Sequence, residues 1–429
     1  MSTIPPRPAT FRSVFAVGEF RALWVSQTLS EAGDRIALVA LTLLVYSRTG
    51  SPLLSAVAYA AGYVPWVIGG LLFCGLGDRL PRREVMVTCD AIRAVLVAVM
   101  LIPRIPLVGL VGLLYMTALA QAPFEAARSA VLPDIFTGER YALAAAVMQT
   151  SFRVAIMAGA AIGGVTVAFI GARPAIGADA ATFLASAVLV RFGTRPRPAT
   201  AAPGPNPLKQ LCEGARLVLG DKALRTLMML GYLIALYSIP EGIAGPYAAR
   251  LSGGPVAAGL VIAVGQFGAV LAAPAFIKKV GPLTRLRWMG PMAICACAVL
   301  LLTIFRPDLA LSLAIFALSG TFAVYQLAAN VTFVEWVPSK HRAQAFGLAN
   351  MGLVICQGGA LMLAGAAAQV IPPATVIALG GGLGTLTACG LALRWRLLPA
   401  TRRPLPHRAP TRTQALRQIR KHEVPALSK

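Results

Sequence analysis

"GLGDRLPRR", Gly75 to Arg83, packs one acid and three arginines into six residues between two of the most apolar stretches of a 429-residue chain. The run before it, Ser51 to Cys74, and the run after it, Glu84 to Ile102, each have about the 20 residues that carry a helix across roughly 30 Å of hydrocarbon. The charged stretch between them then reads as a tight turn on one face of a membrane.

Composition points the same way. The chain is 57% hydrophobic and 13% charged, with a mean hydropathy of +0.72, more apolar than a soluble fold needs. Its apolar runs lack the alternation of an outer-membrane barrel strand, so the expected class is all-α and polytopic. Twelve spans are expected: Ala22 to Tyr46, Leu53 to Cys74, Val85 to Ile102, Leu107 to Val131, Leu143 to Ile170, Pro174 to Val190, Thr226 to Ala248, Pro255 to Ile277, Trp288 to Ile304, Leu309 to Val334, Phe346 to Val370 and Ala374 to Leu393. The first run starts late and lacks a small-residue cleavage site, which argues against a cleavable signal peptide. The seven cysteines are scattered singly; they read as small packing residues, and neither a metal nor a cofactor is expected.

Cations set the orientation. The turns after even-numbered spans carry Arg79, Arg82 and Arg83, then Arg140, then Arg191, Arg195, Arg197, Lys209, Arg216 and Lys222, then Lys278, Lys279, Arg285 and Arg287, then Lys340 and Arg342. The turns after odd-numbered spans carry about one each: Arg48, Arg104, Arg173, Arg250 and Arg306. The even turns and both termini are therefore expected on the cytoplasmic side of the cell membrane. The net charge of +23 follows from topology and a basic tail, with anionic lipid rather than nucleic acid as its partner.

The longest polar interruption, Arg191 to Lys222, opens Pro/Ala-rich and continues as "LKQLCEGARLVL", an amphipathic surface helix by its pattern. It divides the chain into a six-helix half over 1–193, a central loop over 194–222, a second six-helix half over 223–397 and a basic tail over 398–429. The halves echo one another, "LPDIFTGERYALA" before span five against "VPSKHRAQAFGLA" before span eleven. Such repeats are used by secondary transporters, with substrate held between them near the midplane.

At these residues the sequence resembles the major facilitator superfamily. The opening stretch is similar to the family's loop signature G-x-x-x-D-R-x-G-R-R through Asp78, Arg79, Arg82 and Arg83, with Cys74 and Pro81 in place of the two glycines. The prolyl form "DRLPRR", with "TGSPL", "ARSAVLPD" and "DAATFLASA" in order, resembles the exporter branch that includes the enterobactin exporter and drug-efflux relatives. The resemblance implies a twelve-helix fold in two pseudo-symmetric halves and transport rather than catalysis. It also implies a latch in which Asp78 accepts hydrogen bonds from the N-terminus of span eleven, near Ser339, when the halves close on the cytoplasmic side. The arginines alone would also serve as topology anchors.

"RVAIMAGAAIGG", Arg153 to Gly164, resembles the family's antiporter signature through Gly159, Gly163 and Gly164, with Ala155 and Ala160 replacing a glycine and the proline. Small residues four apart also let helices pack closely without further purpose.

Charges inside hydrocarbon cost several kcal/mol unless paired or hydrated, which makes them pointers. Span one holds Glu31 and Arg35 at a spacing that pairs them on one face, leaving Asp34 on another. Asp90 and Arg93 form an expected pair in span three; Glu125, Arg153, Asp179 and Glu241 lie in spans four to seven. The resemblance places spans one, four and seven around the cavity. Asp34, Glu125 and Glu241 are then candidates for proton coupling or substrate contact, with Arg153 as a counter-ion for Asp34 or Glu125. Each also fits a buried structural ion pair. The remaining polar groups, Gln27, Tyr237, Gln266, Tyr325, Gln326, Asn330 and Gln357, are too sparse for a sugar site and suit an amphipathic or hydrophobic substrate.

No phosphate-cradling loop for an ATP-driven pump is present. "GLGD" matches an intramembrane aspartyl protease motif, but its Tyr-Asp partner is missing and Asp78 abuts a turn. The expected function is proton-coupled efflux of a small molecule by a monomer, with facilitated or proton-coupled uptake as the alternative. Reporter fusions after Pro81, Lys209 and Lys340 are expected to read cytoplasmic, and those after Arg48, Arg250 and Pro307 external. A consistent reversal at any site contradicts the topology.

Overall fold

In a computed structural model, residues 10–63, 65, 68–69, 80–197, 207–338 and 341–397 are described. Among them the regular structure is helical throughout, without a strand. A short helix, Phe11–Phe15, precedes α1, Gly18–Thr49; then come α2, Pro52–Ala60; α3, Arg82–Val99; α4, Leu107–Ile135; α5, Gly138–Ile170; and α6, Ala172–Gly193. The linker helix Pro207–Gly220 leads into α7, Lys222–Gly242, continued by Ala244–Arg250. Next are α8, Gly254–Lys279; α9, Leu283–Phe305; α10, Leu309–Trp336; α11, Arg342–Ala367; and α12, Pro373–Leu397.

Nine of these, α4 to α12, are long and apolar enough to cross a membrane. Of the other expected spans, α1 and α3 carry ionisable residues mid-helix, and the helix described for the second expected span covers only Pro52–Ala60. Most boundaries lie within a few residues of expectation. The largest differences are early starts, among them α5 at Gly138 rather than Leu143, α9 at Leu283 rather than Trp288, α1 at Gly18 rather than Ala22 and α11 at Arg342 rather than Phe346.

Local chemistry sets the ends. Gly50, at φ 63, takes the left-handed conformation that stops α1. Two residues on, Pro52 opens α2 while the Ser51 hydroxyl accepts from the Leu54 amide. The helix α5, which carries Ala160 where the signature has proline, runs unbroken for 33 residues. The span α7 is broken at Leu233, Ser238 and Ile243, around Pro240. The linker helix forms as its pattern predicts, but it docks on the protein: a Cβ at Gly214 would lie 2.8 Å from the Gln344 carbonyl oxygen at the start of α11.

The first six helices pack around α1, which lies against α5 and α6, while α3 lies between α4 and α6. In the second six, α8 packs on α10 and α9 on α12. The main contacts between the two sets are α5 with α8 and α2 with α11, with the broken part of α7 touching α1 and α2.

All of these lie toward the end that bears the loops after odd-numbered spans. There the backbones meet. A Cβ at Gly164 would stand 2.6 Å from the Pro255 carbonyl oxygen, one at Gly259 would stand 2.7 Å from that of Ala160, and one at Gly365 would stand 2.4 Å from the Cβ of Ala56. The Gln369 amide donates to Ser51 Oγ at 3.0 Å across the same end.

At the opposite end the described ion pairs stay within the first set. Arg82, opening α3, pairs with Asp134 of α4 and donates to the Ala130 carbonyl at 2.8 Å. Asp134 lies 3.6 Å from Arg197, which pairs with Glu19 of α1 at 2.5 Å.

The glycine crossing yields a prediction. Overpacking costs about 1–3 kcal/mol, and Gly164→Leu puts that cost on the α5–α8 contact alone. Cysteines placed at Ser51 and Gln369 are expected to cross-link readily in the parent chain and at least several-fold more slowly with Gly164→Leu. Equal cross-linking would contradict a backbone-tight crossing.

Candidate functional site: a central cavity and its charge network

Proline at 240 cannot donate to the helix, so α7 opens there and frees backbone and side chains on both sides of Glu241. The Glu241 carboxylate accepts from the Tyr59 hydroxyl of α2 at 3.0 Å through Oε2 and from the Gln266 amide of α8 at 3.4 Å through Oε1. One of its two donors thus belongs to the first six helices and the other to the last six. Tyr63 stands beside Tyr59, ring centroids 6.1 Å apart. Arg35 of α1 lies within electrostatic reach of both tyrosines and of Glu241, and its Nε is buried without a hydrogen-bond partner.

Glu241 lines a cavity of about 230 Å³. The other polar walls are Arg153, Tyr237, Gln266, Ser319, Gln326 and Asn330; the apolar ones include Ile234, Val261, Leu300, Phe316 and Leu353. Of the described residues lining it, only Arg153 comes from the first six helices. The Gln326 amide donates to the Gly231 carbonyl and to the Tyr237 hydroxyl, at 2.9 and 3.0 Å.

The other sequence candidates are placed differently from expectation. Asp34 has a partner: Arg93 of α3 donates to it at 2.5 Å, stands 3.7 Å from Asp90 and lies 4.0 Å over the Phe183 ring. The expected Asp90–Arg93 pair is present, and Arg93 adds Asp34, 59 residues away in sequence. Asp90 further accepts from Ser186 at 2.5 Å, and Asp179 accepts from Thr182 at 3.2 Å.

Glu31 and Arg35 do not form the expected ion pair; Glu31 accepts from Gln121 at 3.3 Å instead. Glu125 pairs with Arg128 one turn on, so Arg153 serves as counter-ion to neither candidate acid. Asp34 faces a pocket of about 40 Å³ with Glu31, Arg35 and Gln121, apart from the central cavity. Tyr325 and Gln357 are spent on the Leu230 carbonyl and Ser238, while Gln27 is buried.

In the loop signature, Asp78 and Arg79 lie outside the described residues, as does Ser339. Arg82 is held by Asp134, and Arg83 pairs with Glu84 at 2.9 Å. In α5, Gly159 and Gly163 face Ala32, Arg35 and Ile36 of α1, while Gly164 faces α8. The motif therefore serves two contacts, one within the first set of helices and one between the sets. Tyr59 and Tyr63 went unread in the sequence; the signal for them is "YAAGY", two hydroxyls one helical turn apart in an otherwise apolar run.

A family model described as Major Facilitator Superfamily matches residues 23–326. Among curated proteins, the chain is similar to a protein named macrolide efflux protein A of Streptococcus pyogenes, 21% identical over 52% of this chain and 56% of that one. It is also similar to an uncharacterized MFS-type transporter, YkuC, of Bacillus subtilis, 26% identical over 52% of this chain and 54% of that one. The chain thus spans little more than half the length of either relative. Of solved structures, the nucleoside transporter NupG matches with a TM-score of 0.69 at 13% identity, covering 88% of this chain and 99% of that one. A POT family transporter in complex with 5-aminolevulinic acid matches with a TM-score of 0.69 at 10% identity, over 90% and 97%. These structural likenesses concern the fold.

Arg93 bridges two carboxylates in the interior of the first six helices, and removing one partner of a buried ion pair costs about 3–5 kcal/mol. Arg93→Met is expected to lower the melting temperature in detergent by roughly 10 °C, and adding Asp34→Asn and Asp90→Asn is expected to recover most of it. An unchanged melting temperature in Arg93→Met would contradict the bridge.

Proposed function

The chain belongs to the Major Facilitator Superfamily, a family of transporters, and on that footing we propose that it is a proton-coupled exporter of a small amphipathic or hydrophobic molecule. The observation that carries the coupling is the hydrogen bond from Tyr59 to Glu241, because it joins the two sets of helices through a carboxylate on the cavity wall. Separation of the sets at that end breaks the bond and exposes the carboxylate to the other aqueous side. Proton occupancy of Glu241 and the position of the halves are then linked, which is what exchange requires.

The cation asymmetry supports an external location for the closed end, with both termini cytoplasmic in the cell membrane. In this conformation the cavity would load from the cytoplasm, as an exporter's does, and the name of the macrolide efflux relative supports the same direction. The sparse polar lining suits a greasy substrate. We assign the proton to Glu241 rather than to Asp34 or Glu125, since those two are held by Arg93 and Arg128.

The rocking bodies are the six-helix halves over 1–193 and 223–397. Asp78 and Arg79 complete the cytoplasmic latch, while Arg82 and Arg83 shape its base through Asp134 and Glu84. The monomer rests its basic turns on anionic lipid.

Inside-out vesicles test the reading. Accumulation of substrate is expected to need an acidic lumen and to collapse with a protonophore. Glu241→Gln should abolish accumulation while retaining downhill flux, and Asp34→Asn should change stability before coupling. Accumulation that persists without a proton gradient would favour facilitated uptake.

A further inference from the structure

Arg153 sits midway along α5, faces the central cavity, and has neither an ion-pair nor a hydrogen-bond partner among the described residues. An arginine at that depth in a membrane is costly unless it is hydrated or paired. Among the described lining residues, no carboxylate pairs with it. The one carboxylate there, Glu241, has both oxygens engaged, by Tyr59 and Gln266, with Arg35 close by.

The other polar groups of the described lining are neutral and partly spent. The Gln326 amide is used on Gly231 and Tyr237, and the Ser319 hydroxyl donates to the Ala296 carbonyl at 2.6 Å. The Tyr237 hydroxyl accepts from Gln326. An amine entering this cavity meets an engaged carboxylate and an unpaired guanidinium; an acid meets five free N–H donors in a planar fork suited to a carboxylate.

We propose that Arg153 binds an anionic group of the transported molecule, a carboxylate or comparable acid, while its apolar body lies against Ile234, Val261, Phe316 and Leu353. The substrate class is therefore amphipathic organic acids. This rests on the reading of the chain as a transporter with this cavity, and it is independent of the coupling ion. Because Arg153 is the only described lining residue from the first six helices, the bound acid also spans the two halves.

The test is equilibrium binding to the purified full chain in lipid nanodiscs at fixed pH with no gradient, so a failure of proton coupling leaves it unaffected. The probes are naphthaleneacetate, its methyl ester and naphthylethylamine, which share one apolar body and differ in charge. The acid is expected to bind about tenfold tighter than the ester or the amine, the scale of one charge-assisted hydrogen bond. Arg153→Gln should remove that preference while holding ester affinity within about twofold, and Arg153→Lys should keep part of it, as a point charge without the fork. Acid binding no tighter than that of the amine, unchanged acid affinity in Arg153→Gln, or an equal loss of all three probes in that variant would overturn the assignment.

Discussion

An ionisable side chain in hydrocarbon must find a partner, water or a ligand, and that constraint organises this molecule more than any other. Arg93 gathers Asp34 and Asp90 and thereby ties α1 to α3. Glu125 is satisfied within its own helix by Arg128. Glu241 is satisfied by reaching across to Tyr59, and Arg153 remains open to the cavity. The first arrangement joins two helices and the second stays within one, whereas the last two side chains face the central cavity.

The same economy governs how the halves touch. Where Gly164 meets Gly259, backbones approach without intervening side chains, and where Gly365 meets Ala56 only a methyl group intervenes, which suits helices that associate by close packing in lipid rather than by hydrophobic burial. Such a contact has little give: it is made or it is broken. The Tyr59–Glu241 bond lies in the same interface, so it is made and broken with that packing.

Much of this was legible in the sequence. Hydropathy located the nine described helices that are apolar and long enough to span, because the bilayer sets their length, and Pro240 beside Gly242 announced the break in α7. The linker helix followed from its own periodicity. Partnerships between helices were not legible. Spacing rules reach three or four residues, so they joined Glu31 to Arg35 and left Asp34 alone, whereas Arg93 reaches Asp34 from another helix. Arg153 was matched to Asp34 or Glu125 because charge was visible and direction was not. The pair Tyr59 and Tyr63 marks a polar stripe in an apolar run, but its partner stays hidden until the facing helix is known.

The central claim is that one carboxylate links protonation to closure of the external end. Its most direct measurement is the distance distribution between spin labels at exposed Arg48 and Val370, which flank that closure, followed by pulsed electron resonance as pH is varied in nanodiscs. The account predicts that the populations of close and separated states shift with pH in the parent chain and stop responding in Glu241→Gln. A distribution that ignores pH in the parent, or that follows pH equally in Glu241→Gln, would contradict it.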